Sequence, residues 1–327
     1  MIRRALAMTA ALGAAVVSIG PVTDRLARRL MAAPRQLPEE AAMATLLDGL
    51  GGEVVRLRSR DGVGLAGRWL AADPAAGGWE PDPGEAILLL HGYSGSVTPD
   101  VVDLGPFLRT IAGVLALDFR GHGGSDDAPT TFGLHEVEDV AGALAWLGER
   151  GVRRVALVGS SMGGITAIAA TAILGDGRLA AADLPADGSA ATAAEAPRPR
   201  IVAIVADAVS PELAVVVGRR LGLPFGVWLA DRAFSRLARL VGGDPRATQP
   251  IATVGLLEDV PLLLVHGAAD PLIPERAAAR LVAMAPEGTR HLVVAGAGHG
   301  EAHRVDAVAW EAEAGDLLRS AFRGTRG

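Results

Sequence analysis

The chain has 327 residues, half of them hydrophobic, with 42 Gly and 20 Pro; this composition excludes a disordered or collagen-like chain, and the length admits one large core or two domains. Against 37 acidic residues stand 31 basic ones, a formal charge of −6 with no basic run in the body, so nucleic acid is not an expected partner. There is no Cys, which removes disulfides, thiolate nucleophiles and Cys-based zinc sites.

Residues 1–40 differ from the rest. Arg3 and Arg4 precede an uncharged stretch from Ala5 to Gly20, closed by Pro21 and followed by Arg25, Arg28 and Arg29. As a helix rising about 1.5 Å per residue the stretch falls short of a hydrocarbon core roughly 30 Å thick. Residues 5–20 read as a membrane anchor, spanning or interfacial, with the body on the cytoplasmic side by the positive-inside rule. A helix packed on the protein's own surface, in a cytoplasmic protein, is the other reading. A signal peptide fits less well, because no small-x-small cleavage site follows.

Residues 41–327 read as one α/β domain. Glu53 to Arg60 and Val63 to Ala72 flank an Asp61-Gly62 turn, the pattern of a hairpin. Apolar runs then recur at Ala86–Leu90, Val114–Leu117, Val155–Val158, Ile201–Val205 and Leu262–Val265, with a shorter one at Leu292–Val294. Such continuous runs suit strands covered on both faces of a parallel sheet. Helical spacing lies between them, in Leu134, Val137, Val140, Leu144 and Leu147 and again from Ile165 to Leu174. The expected fold is therefore α/β: a doubly wound, mostly parallel sheet of about eight strands with the hairpin at its edge. Two segments interrupt the alternation. Residues 175–200, rich in Ala, Asp and Pro, read as a flexible surface insertion. Residues 211–259, with Phe225, Trp228 and Phe234, read as two or three short helices forming a cap.

Gly159-Ser160-Ser161-Met162-Gly163 has the G-x-S-x-G pattern, between an apolar run and a helical one. That strand–turn–helix setting raises a serine hydroxyl above the carboxyl edge of a sheet and points the backbone N–H of Met162 at a developing oxyanion. A serine needs a base. Among the seven His, His299 follows the last strand in Gly296-Ala297-Gly298-His299-Gly300 and is the expected base. The imidazole in turn needs a carboxylate. Asp270, after Leu262–Val265, is the preferred acid, and Asp207, after Ile201–Val205, is its rival.

With these residues the chain resembles the α/β-hydrolase fold family, in its serine hydrolase, esterase-like branch. The resemblance runs from about Glu53 to the end and rests on the order Ser161, Asp270, His299 together with four further motifs. His91-Gly92-Tyr93-Ser94-Gly95 resembles the family's loop after the third strand and implies Tyr93 N–H as the second oxyanion donor. Asp118-Phe119-Arg120-Gly121-His122-Gly123-Gly124-Ser125 resembles the turn after the fourth strand. His266 to Pro274 resembles the acid loop, and Gly298-His299 the base loop. By the same resemblance His91 and His122 hold loop backbone, and Asp118 and Arg120 form a loop ion pair. Tyr93 stands where a lipase-type H-G-G-G loop has Gly, which implies a narrower oxyanion hole unsuited to large or branched-alcohol esters.

The expected activity is hydrolysis of ester-like acyl bonds in a small apolar substrate through an acyl-enzyme, with no cofactor and no metal. A thioesterase, a peptidase or amidase, or a non-catalytic binding protein on the same fold are the alternatives.

Overall fold

A computed structural model describes residues 20–33, 40–73, 79–175, 198–257 and 259–324. The stretch 5–20, except for Gly20, and nearly all of the 175–200 insertion lie outside these residues. Among the described residues no helix is long and apolar enough to cross a membrane.

Each apolar run becomes a strand, longer than the run by the polar residues at its ends. The strands are β1 (Glu53–Arg58), β2 (Gly64–Leu70), β3 (Glu85–Leu90), β4 (Gly113–Leu117), β5 (Arg154–Ser160), β6 (Arg200–Asp207), β7 (Leu262–Gly267) and β8 (Arg290–Val294). They form one eight-stranded sheet in the order β1-β2-β4-β3-β5-β6-β7-β8. β1 pairs antiparallel with β2, and β2 antiparallel with β4, while all later pairings are parallel. The hairpin strands stop at Arg58 and Leu70, short of the Arg60 and Ala72 expected from sequence. Ser59 ends the first arm: its N–H donates to the Val63 carbonyl and its hydroxyl to the Asp61 carboxylate, closing the turn.

The continuous apolar runs reflect burial on two sides. Successive residues of a strand face opposite ways, and both faces are covered. Leu88 and Leu90 of β3 and Val155 and Leu157 of β5 face one core, while Ile87, Leu89, Ala156 and Val158 face the other. The first core is closed by α4 (Glu136–Glu149), α5 (Met162–Leu174) and α9 (Glu275–Met284), the second by α2 (Glu40–Leu50), α3 (Val97–Leu108), the short α10 (Ala302–Val305) and α11 (Ala307–Gly324). α5 is buried along almost its whole length, as a helix without charges at the centre of a fold can be; its two polar side chains, Thr166 and Thr171, donate to the Met162 and Ala167 carbonyls. Residues 211–259 hold α6 (Leu213–Leu221), α7 (Gly226–Val241), the short α8 (Pro250–Thr253) and two 3₁₀ turns. The chain also has a helix α1 over residues 20–31, whose Ala27 and Leu30 join the first core. The chain order of strands reverses around β3, which lies between β4 and β5. In open α/β sheets that reversal opens a crevice at the carboxyl edge, and β3 and β5 deliver Tyr93 and Ser161 to it.

Candidate active site

The turn after β5 is tight because of two glycines. A Cβ on Gly159 would run into the Gly163 backbone, and one on Gly163 into the Leu90 carbonyl. Between them Ser161 takes φ 50° and ψ −111°, a conformation that L residues adopt only where the surroundings impose it. Its N–H donates to the Asp207 carbonyl at 2.8 Å, and its C=O accepts from Ile165 N–H in α5. The turn is thus pinned to β6 on one side and to its own helix on the other.

His299 lies on the loop after β8. Its Nε2 is 3.0 Å from Ser161 Oγ, and its Nδ1 is 2.8 Å from Asp270 Oδ2. An ionised carboxylate only accepts, so Nδ1 carries the ring proton and Nε2 is left to accept from the serine hydroxyl. The other oxygen, Asp270 Oδ1, accepts from Leu272 N–H at 2.7 Å and Ile273 N–H at 3.0 Å. Burial pushes the Asp270 carboxyl pKa up, but the hydrogen bonds from His299 and these two amides outweigh it, and the net position is below the usual carboxylate range.

Asp207 does not reach His299 with a hydrogen bond. It is buried, and burial raises its pKa to about 7, opposed by the charge of His299 and reinforced by that of Asp270. Of the two acids left open by the sequence, only Asp270 touches the imidazole.

The other motif residues support loops. His91 Nε2 accepts from Phe119 N–H at 3.0 Å, and its Nδ1 donates to the Gly92 carbonyl at 2.8 Å. Burial, with a contribution from His122, pushes its pKa down to about 3, so it is neutral. His122 Nε2 accepts from Ser94 N–H, and its Nδ1 donates to the Arg120 carbonyl. His266, buried at the end of β7, donates from Nε2 to the Val209 carbonyl and accepts on Nδ1 from His291. The expected Asp118–Arg120 ion pair does not form. Asp118 accepts instead from the N–H groups of Val97 and Gly124, while Arg120 reaches Asp139 and Asp61, each at 2.7 Å. The loop carboxylate is occupied by backbone amides, and the guanidinium turns to the hairpin and α4.

Ser161 and His299 open into a cavity of about 600 Å³. Its walls include Tyr93, Phe132 and Ile165 from the sheet side, Leu213, Val216 and Val217 from α6, and Leu26 and Leu30 from α1. Tyr93 stacks on Phe132 with ring centroids 5.1 Å apart, and Phe132 meets Phe234 edge-on. Among the described residues the backbone N–H groups of Tyr93 and Met162 donate to no acceptor, and both residues line this cavity. The contribution of α1 was not read from the sequence. The signal was present, since Thr23, Leu26, Ala27 and Leu30 recur at helical spacing, and Thr23, Ala27 and Leu30 are buried. Phe225 and Trp228, by contrast, are 57% and 45% exposed and do not line the cavity.

A profile of the alpha/beta hydrolase family matches residues 87–312. The uncharacterized protein Rv2307c of Mycobacterium tuberculosis is 28% identical over 283 residues, covering 85% of this chain and 82% of that protein. YfhR of Escherichia coli O157:H7, also uncharacterized, is 23% identical over 245 residues, 74% of this chain and 71% of that one. Among solved structures, the Pyrococcus furiosus esterase Pf2001 superposes with a TM-score of 0.59 at 21% identity, covering 88% of this chain and 98% of the esterase.

Proposed function

The chain belongs to the alpha/beta hydrolase family, and from that premise we propose that it is a serine hydrolase cleaving ester-like acyl bonds of a small apolar substrate through an acyl-enzyme. The observation that carries the reading is the unbroken chain of hydrogen bonds Asp270–His299–Ser161 at the wall of an apolar cavity.

In this mechanism Ser161 Oγ attacks the substrate carbonyl as its proton passes to His299 Nε2. The Asp270 carboxylate holds the ring tautomer and stabilises the imidazolium. The tetrahedral oxyanion is met by the N–H groups of Tyr93 and Met162, each worth about 2.7–4 kcal/mol in the transition state. The imidazolium then gives its proton to the leaving alcohol as the C–O bond breaks, which leaves the acyl group on Ser161. Water, deprotonated by His299, attacks the acyl-enzyme, and the proton returns to Ser161 as the acid departs. Helices α6 and α7 serve as the cap, with α6 and α1 enclosing the acyl chain. A binding protein on this fold has no need for a strained serine hydrogen-bonded to an imidazole.

The test is hydrolysis of p-nitrophenyl esters of increasing chain length. Turnover by the native protein that is lost in Ser161→Ala supports the reading; equal rates for the two proteins overturn it.

A further inference from the structure

The cavity that holds Ser161 has two features at odds with a purely apolar substrate. Arg29 of α1 and Arg220 of α6 both line it, and among the described residues no Asp or Glu does. Both arginines are exposed, and among the described residues neither is in an ion pair or has a guanidinium hydrogen bond. Their neighbours differ. Arg219 spends its Nε–H on the Pro271 carbonyl, Arg236 pairs with Asp24, and Arg280 with Glu212.

Both arginines line the cavity together with Tyr93, whose hydroxyl donates to the Arg29 carbonyl at 3.3 Å. Burial raises the Tyr93 phenol pKa, and the charges of Arg220 and Arg29, which both bear on it, oppose that rise without overcoming it. The same tyrosine supplies one of the backbone N–H groups assigned above to the oxyanion. A basic residue in the last turn of α6 does complement the partial negative charge of that helix end, but this explains neither why Arg220 faces the cavity nor why Arg29 meets it there from another helix. In a protein of net charge −6, a reaction cavity lined by two arginines that form no ion pair among the described residues, and by no described Asp or Glu, presents a locally positive field.

We propose that Arg29 and Arg220 form an anion subsite of the catalytic cavity, so that the substrate is an amphiphilic ester bearing a carboxylate or phosphate beside its apolar chain. The chain lies along Leu26, Leu30, Val216 and Val217, and the anion meets the two guanidiniums, whose planar forks match either oxyanion group. This inference rests on the hydrolase reading for the ester bond, but the anion subsite itself is a property of binding.

Two arms separate the anion's sources. The first compares p-nitrophenyl octanoate with the p-nitrophenyl half-ester of octanedioic acid, and the second compares octanoyl glycerol with octanoyl glycerol 3-phosphate. The native protein is expected to favour the anionic member of at least one pair in kcat/KM, less so as salt rises. In the Arg29→Gln/Arg220→Gln protein the anionic-to-neutral ratio is expected to fall by at least about tenfold, and in the double Lys variant to recover in part. Response in the first arm alone identifies a carboxylate, and in the second alone a phosphate. Calorimetric binding of octyl phosphate against 1-octanol, in native and double-Gln protein, gives a readout free of chemistry. Ester turnover with a ratio and an octyl phosphate affinity indifferent to the two arginines overturns the anion subsite and leaves the hydrolase. Arginine-dependent octyl phosphate binding without turnover of any ester overturns the hydrolase and leaves the subsite.

Discussion

The backbone N–H of Ser161 donates to the carbonyl oxygen of Asp207 at 2.8 Å, so the residue that rivals Asp270 for the acid role in the sequence instead holds the serine turn from behind. Its carboxyl makes no hydrogen bond to His299, and burial, reinforced by Asp270 and only partly opposed by His299, pushes it up to about 7. The two acids are separated by what their side chains meet: Asp270 has a ring N–H and two backbone amides, whereas Asp207 is left with burial as its main influence.

A pH dependence of stability follows from that contrast. A carboxyl whose pKa is higher folded than unfolded binds its proton preferentially in the folded state. Its favourable contribution is complete below about 4 and is lost as pH rises to about 7. Asp207→Asn removes this loss. The variant is expected to be about 2–4 kcal/mol more stable than the native protein at pH 8 and close to it at pH 4, measured by urea unfolding at both pH values. Asp270 acts in the opposite sense: its lowered pKa adds stability above about 4 that is lost as pH falls further.

Asp270→Asn leaves the loop's shape nearly unchanged but offers the ring the wrong hydrogen-bonding pattern. An amide can donate to Nδ1, which would place the ring proton on Nε2 and leave nothing to accept from Ser161. The expected outcome is a fall in kcat of about 10³–10⁴-fold with the protein still folded, read by p-nitrophenyl ester hydrolysis alongside circular dichroism. Asp207 is not expected to substitute, because its carboxyl makes no hydrogen bond to His299.

Arg120 carries a stability prediction. It is buried between Asp139, which is fully buried, and Asp61, and it ties the turn after β4 to the hairpin and α4. Arg120→Leu leaves the Asp139 carboxylate without a counter-charge and is expected to cost about 3–5 kcal/mol. Denaturant unfolding measures this, and a loss under about 1 kcal/mol would show that the network contributes little.

Leu26 of α1 tests which residues form the acyl wall. Leu26→Trp fills part of the cavity, so the chain-length optimum on p-nitrophenyl esters is expected to shift to shorter acyl groups, with KM rising most for the longest. An unchanged profile would place the chain elsewhere.

The sheet was legible because its central strands are buried on both faces and therefore read as apolar runs, β3 above all, where all six residues are buried. The meeting of Ser161, Asp270 and His299 was legible as a placement, because each sits in a short turn with glycines and small residues directly after a strand, a local pattern. Two features were not legible. The partners of Arg120 come from residue 61 and residue 139, and nothing near Arg120 in sequence names them; the adjacent Asp118 was the obvious guess, but its carboxylate is taken up by the amides of Val97 and Gly124. The helical spacing of Thr23, Leu26, Ala27 and Leu30 marks a buried face of α1, but nothing local to it says that this face closes a cavity over a turn more than 130 residues away.

Activation of Ser161 by His299 is read by intact mass after incubation with a fluorophosphonate. One adduct per chain is expected on the native protein and none on Ser161→Ala. A folded native protein that takes up no adduct, or an adduct that persists in Ser161→Ala, would contradict it.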